Sequence, residues 1–183
     1  MGLRLALTGL IVLAVAGCGL ISQSATGGPG DCPAPAADTE LLKNEEQRYC
    51  LLYPNGYTTE QLNPQETTIS SGSLLDVENP RAIIAVRDAG GRAAAEIAGG
   101  IVAEVKANLP RWGVRQGTAE IGGETAIVLD NLPGQDIGRQ AIVVHNDQVY
   151  SLTFVPAAPA GTDAVQQAEQ LYKMVVDSFR FIP

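Results

Sequence analysis

The sequence of 183 residues contains 20 Asp and Glu against 12 Lys and Arg, which gives a formal net charge of −8. This acidic balance disfavours nucleic acid and an anionic membrane surface as the main partner, because both carry negative charge. The length allows one domain with a sizeable core and argues against two full domains. One His and three Cys are too few to favour a metal centre.

Residues 1–17 have the pattern of a signal peptide. Arg4 supplies the positive charge of a short n-region, and residues 5–16 form an apolar stretch without any charge. This stretch is shorter than the roughly 20 apolar residues that a helix needs to cross a bilayer. We therefore expect export of the chain.

The run Val15-Ala16-Gly17-Cys18 resembles the bacterial lipobox, in which signal peptidase cuts before the cysteine and a diacylglyceryl group is attached to its sulfur. The resemblance implies a lipoprotein whose fatty acyl chains, such as palmitate, tether Cys18 to the extracytoplasmic side of a bacterial cell membrane. Two or three acyl chains, at about 0.8 kcal/mol per buried CH₂, hold a protein stably. Two alternatives stay open: a secretory signal with an accidental cysteine, and an uncleaved anchor.

Residues 18–40 are predicted to form a flexible, lipid-anchored linker, because this tract is rich in Gly, Pro and other small residues that cannot bury a core. The folded domain is predicted to span residues 41–183. Cys32 and Cys50 remain as an even pair outside the reducing cytosol, which predicts a disulfide. The alternative is two unpaired thiols.

Strand and helix patterns alternate along the domain. Spacings of three and four between apolar residues predict a helix over residues 92–109, ended by Pro110, and a second helix that Thr162 or Asp163 can cap. Short apolar or β-branched runs predict strands at residues 48–53, 67–71, 82–87, 114–121, 125–129 and 140–144, and in the run after Asn146. The fold class is therefore α+β: an α/β/α sandwich around one mainly antiparallel sheet of about six strands, with two main helices.

Two local features are specific enough to test. If Asn146-Asp147 form a two-residue turn, His145 faces Gln148 and, further along, Val143 faces Tyr150. The hairpin alternation then places Tyr150, Leu152 and Phe154 on one face of the sheet. Gly99-Gly100, in the middle of the first helix, cost about 1 kcal/mol each relative to Ala, and we expect them to mark a close approach to the sheet or a break in the helix.

Three segments resemble the PsbP-like family: residues 49–57, which read Tyr-Cys-Leu-Leu-Tyr-Pro-Asn-Gly-Tyr, residues 146–152 around Tyr150, and Ser178-Phe179 near the end of the chain. The resemblance covers residues 44–183 and implies an α/β/α fold. This fold serves an extrinsic photosystem II subunit, Ran-binding release factors and many bacterial lipoproteins, which are not generally enzymes. It carries over no cofactor, no metal ligand and no ion-binding residue.

A catalytic constellation is not apparent, so no catalytic residue is assigned and the protein is not expected to be an enzyme. His145, beside the hairpin turn, is expected to be a solvated loop residue, and no Gly-x-Ser-x-Gly elbow is present. Trp112 is expected to lie in the core or to cap the sheet edge, with an exposed contact role as the alternative. Arg111 and Arg115 flank it as a candidate basic spot for a partner.

The leading hypothesis is therefore a non-catalytic, lipid-anchored domain that binds an unknown protein partner in the cell envelope and does not bind nucleic acid. The main alternative is a small-molecule or ion-binding lipoprotein, which predicts an apolar pocket with convergent polar groups between sheet and helix. A hydrolase is the weaker alternative.

Overall fold

The structure of the protein is a computed structural model that describes residues 31–73, 76, 78–158 and 160–183. The predicted signal peptide, the predicted lipid site at Cys18 and the linker as far as residue 30 lie outside the described residues. Within the described ranges, no helix is long and apolar enough to cross a membrane.

The described residues form ten strands and two helices. The helices are α1 (Ala94–Asn108) and α2 (Asp163–Ser178). The strands, in chain order, are β1 (Thr39–Asn44), β2 (Tyr49–Pro54), β3 (Thr58–Asn63), β4 (Glu66–Ser70), β5 (Arg81–Asp88), β6 (Arg115–Ile121), β7 (Glu124–Leu132), β8 (Gly138–His145), β9 (Gln148–Val155) and β10 (Arg180–Phe181).

The strands form two sheets in which every pair is antiparallel. The large sheet has seven strands in the order β3-β4-β5-β9-β8-β7-β6, and the small sheet has the order β1-β2-β10. Helix α1 packs on β7 and β8, whereas α2 packs against β2, β5, β6 and β9. The expected α+β sandwich with two helices is therefore confirmed.

The expectation of one sheet with about six strands is wrong. The first predicted strand, now β2, belongs to the small sheet, and β1, β3 and β10 were not predicted. All six residues of β3 are exposed, so this strand has no alternating apolar pattern from which it could be recognised. Strand β10 has only two residues, which is too short to show any period.

The β8–β9 hairpin has the predicted register. His145 pairs with Gln148 and Val143 with Tyr150. Asn146 and Asp147 have φ angles of 48° and 59°, as a two-residue turn of type I′ requires. The predicted face is buried in the core on the α2 side, through Tyr150, Leu152 and Phe154.

The prediction that Gly99 and Gly100 mark a close approach to the sheet or a break in α1 is wrong. The helix runs without interruption from Ala94 to Asn108. A Cβ atom added to Gly99 or Gly100 would meet nothing within 4 Å, so neither glycine marks a close approach to the sheet. Both are exposed, on the side of α1 that faces away from the core.

Cys32 and Cys50 form the predicted disulfide, with their Cα atoms 5.7 Å apart. Because Cys50 lies in β2 and is fully buried, the bond fastens the segment before β1 to the small sheet. On the chain-entropy model, closing a loop of this length stabilises the fold by about 3 kcal/mol.

The segments that carry the PsbP-like resemblance meet in one aromatic cluster. The Tyr49 ring is stacked on Phe179 at 5.4 Å between centroids, and the edge of Tyr150 approaches Tyr49 at 6.2 Å and Phe179 at 6.0 Å. Beside them, the Ser178 hydroxyl accepts a hydrogen bond from the Leu52 backbone N–H at 2.9 Å. The motif residues therefore join the small sheet, the large sheet and α2, which is a structural role.

Candidate protein-interaction site

An exposed apolar and basic surface follows α1. Helix α1 ends at Asn108, and the chain then turns sharply, because the Trp112 N–H donates to the Leu109 carbonyl at 2.9 Å. The turn leaves Leu109 and Trp112 with 43% and 36% of their surface exposed. Arg111 and Arg115, on either side of Trp112, are also exposed. We call these four residues the Trp112 patch.

Trp112 is held in place although it is exposed. Its indole Nε1–H donates to the Asn131 carbonyl at 2.6 Å, and the Asn131 amide donates back to the Gly113 carbonyl at 2.8 Å. Asn131 has a φ angle of 63° and lies at a register shift in β7 between Asp130 and Leu132. A bulge of this kind redirects a residue out of the strand ladder. The indole is therefore held against the end of β7 although it is exposed, so Trp112 does not lie in the core.

Neither arginine of the patch forms an ion pair within the part of the chain that the structure describes. Arg115 lies directly across from Asp130 in the β6–β7 register. The Asp130 carboxylate, however, accepts a hydrogen bond from Arg139 Nε at 2.5 Å. One oxygen of the carboxylate opposite Arg115 is thus taken by Arg139, and Arg115 forms no ion pair of its own in the described ranges.

Arg139 is the centre of a satisfied cluster next to the patch. Its Nη1 donates to Glu169 of α2 at 2.6 Å, and its guanidinium lies 4.5 Å from the centroid of the Tyr172 ring, within the range of a cation–π contact. Burial alone would lower the pKa of Arg139, but the hydrogen bonds and charges of Asp130 and Glu169 together raise it. Arg139 therefore stays charged and joins β8 to α2.

A small pocket of about 200 Å³ lies between the large sheet and α2, lined by the Arg139 cluster together with Arg115, Phe154 and Val165. Its position is the one that the small-molecule alternative predicted. Small-molecule sites, however, usually measure about 300–1,000 Å³ and offer polar groups to the ligand. Here the polar side chains of Asp130, Arg139 and Glu169 bind one another, so the pocket does not favour that alternative.

His145 is not the solvated residue that the sequence suggested. Its ring stacks on Phe181 with 4.1 Å between centroids, and only 29% of its side chain is exposed. Nδ1 lies 3.1 Å from a Glu124 carboxylate oxygen, and Nε2 lies 3.0 Å from the Asn146 amide nitrogen. The ring packs here because β10 brings Phe181 to the end of β8, a contact that local sequence does not reveal.

The described residues place no serine, threonine or cysteine nucleophile beside His145. The cleft beside it is lined by Glu46, Gln47, Arg48 and Tyr150, among others, and contains no Ser, Thr or Cys. Nucleophilic catalysis needs a side-chain nucleophile within hydrogen-bond reach of its base, and both ring nitrogens of His145 contact Glu124 and Asn146. Across the described ranges, no group of three or more His, Cys, Asp or Glu side chains could hold a metal ion.

Similar solved structures place this architecture among known folds. The cyanobacterial PsbP protein CyanoP from Synechocystis sp. PCC 6803 matches with a TM-score of 0.54 and 12% sequence identity, over 83% of this chain and 98% of CyanoP. The chain has the PsbP-like fold. The Ran-binding protein Mog1p of Saccharomyces cerevisiae shares this PsbP-like fold, with a TM-score of 0.52 and 12% identity over 79% of this chain and 95% of Mog1p. No protein-family model and no curated protein matches the sequence.

The structure leaves Arg111, Trp112 and Arg115 of the Trp112 patch exposed on its surface, and their role as partner contacts stays a prediction. Sequence reasoning missed Asn131 and Arg139, which organise that surface. Arg139 could have been recognised from the sequence, since it is the charged member of the alternating β8 residues that continue with the buried Ala141 and Val143. No sequence pattern marked Asn131, because its left-handed backbone lies at the register shift between β7 and β8.

Proposed function

We propose that the protein is a non-catalytic, lipid-anchored domain that binds a protein partner in the bacterial cell envelope through the Trp112 patch. The observation that carries this proposal is the Trp112 indole, which is exposed yet held by a 2.6 Å hydrogen bond to Asn131 between two arginines without ion pairs. Trp and Arg are enriched among the residues that dominate binding energy at protein interfaces. A fixed indole also loses little conformational entropy on binding.

Two further observations support the proposal. The Cys32–Cys50 disulfide suits an oxidising compartment, because such bonds persist mainly outside the cytosol. Mog1p, which has the same fold, is a Ran-binding protein, so this fold can present a surface to another protein.

The lipobox and the disulfide together limit the reach of the domain. Cys32 follows Cys18 by 14 residues (32 − 18), and a fully extended chain spans at most about 3.5 Å per residue. If Cys18 carries the lipid, Cys32 lies no more than about 50 Å from the membrane surface. We therefore propose a partner that is itself at or near the membrane.

The decisive experiment is site-specific photo-cross-linking in intact cells. A benzophenone side chain in place of Leu109 probes the patch, and the same side chain in place of Leu62, which is 53% exposed on the opposite edge of the large sheet, is the matched control. We expect a defined cross-linked protein from position 109 and none from position 62. Equal or absent cross-linking at the two positions would contradict the proposal.

Variants then test the energetic role of the patch. Trp112→Ala should weaken the captured complex by about 2 kcal/mol or more, which is roughly 30-fold in Kd. Arg87→Ala is the matched control, since Arg87 is exposed and forms no described ion pair, and it should leave Kd unchanged. Cys18→Ala should release the protein from the membrane fraction or block its processing, seen as a chain that keeps residues 1–17. A membrane fraction and a processed length that are both unchanged would contradict the lipid anchor without affecting the patch.

A further inference from the structure

Strand β6 is an open edge of the large sheet. It pairs only with β7, and Arg115, Gln116, Gly117, Thr118 and Glu120 are exposed. Within the described ranges, no backbone group of β6 makes a hydrogen bond outside this pairing. An edge of this kind presents unpaired N–H and C=O groups that can pair with another extended chain.

The turn that follows β6 identifies the groups that face outward. Gly122 and Gly123 have φ angles of 60° and 86°, and Ile121 pairs with Glu124 across them. The pair that closes such a two-residue turn exchanges both backbone hydrogen bonds, and along antiparallel strands bonded pairs alternate with non-bonded ones. The N–H and C=O groups of Gln116, Thr118 and Glu120 therefore point away from β7, toward the open edge.

The opposite edge of the sheet, β3, is less suited to pairing. Its register shifts between Gln61 and Asn63, and Pro64 follows directly. Such bulges and prolines protect natural sheet edges from further strands. Strand β6 has neither, and its register with β7 is unbroken over all seven residues.

The side chains of β6 indicate the chemistry of the added segment. Arg115 has no ion pair in the described ranges, and its neighbour on the same face, Gly117, leaves open space, with nothing within 4 Å of an added Cβ. An opposite charge directly across a strand pair, or on its diagonal, is favourable. The vacant position opposite Arg115 therefore suits an Asp or Glu of the incoming strand.

Two other occupants fit this charge poorly. In a second copy of the chain, residues on the Arg115 face of β6 are Arg115, Gly117, Ala119 and Ile121, none of which is acidic, so β6 pairing with β6 would leave Arg115 without a carboxylate. Residues 19–30 of this chain contain no Asp or Glu either. Neither of these two occupants supplies an acidic residue opposite Arg115.

We propose that the open edge of β6 receives an extended, acidic segment of the partner protein as an eighth strand of the large sheet, with an Asp or Glu paired with Arg115. This inference rests on the proposed function and names the class of partner. In such strand addition, backbone hydrogen bonds supply affinity and alternate side chains supply specificity. Trp112 lies three residues before β6, next to the end of the proposed added strand.

The test uses the full lipidated chain in detergent micelles and a phage-displayed library of random heptapeptides, which match the seven residues of β6. We expect enriched peptides to carry Asp or Glu among β-branched residues. Bound synthetic peptide should slow hydrogen exchange at the amides of Gln116, Thr118 and Glu120 and leave the amides of β3 unchanged. Unchanged exchange at these three amides would overturn the proposal.

A pair of variants at one position isolates the backbone contact. Thr118→Pro removes an outward N–H without breaking the ladder to β7, a place where sheets tolerate proline, and Thr118→Val keeps the N–H. We expect Thr118→Pro to weaken peptide binding about tenfold or more, because one hydrogen bond is lost and a partner carbonyl is left unpaired. Thr118→Val should bind like the original chain, and equal binding by both variants would contradict strand addition.

The acidic position and the alternative occupants have their own readouts. Arg115→Ala should weaken an enriched peptide but not the same peptide with Gln in place of its acidic residue. If the chain dimerises as its concentration rises, and Thr118→Pro abolishes the dimer, the added strand comes from a second copy of the chain. The proposal of a partner segment would then be wrong. If the protein cross-linked at position 109 is still captured by Thr118→Pro, strand addition fails while the proposed function stands. If no protein is cross-linked there, the proposed function fails whatever the peptides do.

Discussion

The two helices of this protein have almost the same length but very different relations to the core. Helix α2 buries five of its 16 residues, whereas α1 buries only Ala98 of its 15. Helix α2 starts with a side-chain cap from Thr162, and α1 starts at Ala93 without one. The better-packed helix is also the one whose end, at Ser178, is bonded to β2.

This difference divides the molecule by role. The α2 side of the large sheet is also covered by the small sheet and the aromatic cluster, so most of the buried apolar area lies there. Since burial is the main favourable term in folding, that side dominates the free energy of unfolding. The α1 side contributes less, and the loop that follows α1 carries the Trp112 patch. Changes in the loop after α1 should therefore cost the fold less than changes on the α2 side.

The largest expected effect compares one buried residue from each helix. Leu171 of α2 is fully buried, and Leu171→Ala should lower the free energy of unfolding by about 2–5 kcal/mol. Ile101 of α1 is only partly buried against its core, so Ile101→Ala should cost less than half as much. Urea unfolding followed by circular dichroism measures both. If both variants lowered the free energy of unfolding equally, the α2 side would not dominate the stability of the fold.

The next effect concerns the exposed glycines of α1. Gly99→Ala and Gly100→Ala should each raise the free energy of unfolding by about 1 kcal/mol, because alanine costs less backbone entropy in a helix and nothing stands within 4 Å of the new Cβ. Gly122→Ala is the matched control. Its φ angle is 60° and its Cβ would lie 2.7 Å from the Phe181 ring, so this change should destabilise the fold. A loss of stability at positions 99 and 100 would reveal a contact on the outer side of α1.

How much of the fold the sequence could predict depended on whether the signal was local. The turn at Asn146-Asp147, the cap at Thr162 and the apolar period of α2 are local patterns, and each has the predicted position. Strand β3 could not be predicted because its residues are polar and exposed, and it is a strand only because β4 offers it an edge. Strand β10 could not be predicted because its two residues are too few to show any period.

The members of the candidate site, Arg111, Trp112 and Arg115, were proposed from their residue types. The structure leaves all three exposed, and their role as a contact stays a prediction. Asp130 pairs with Arg139 and not with Arg115, its neighbour in the strand register, a choice between two arginines that strand register and the position of α2 decide. Such competition for one carboxylate depends on three strands and a helix, so no short stretch of sequence encodes it.

The smallest expected effect concerns the two helix starts. Thr162 accepts a hydrogen bond from the Val165 N–H, and Thr162→Ala should lower the free energy of unfolding by about 1 kcal/mol, since an orphan N–H loses its partner. Ala93→Ser should have the opposite sign. Glu96 stands three residues after it, where Ser and Glu complete a capping box. Urea midpoints of the two variants, compared with the original chain, should move in opposite directions. If Ala93→Ser stabilises the protein and this gain disappears when Glu96 is also changed to Ala, the gain comes from the capping box. Helix α1 would then be less stable than α2 partly because its N-cap residue lacks a capping hydroxyl.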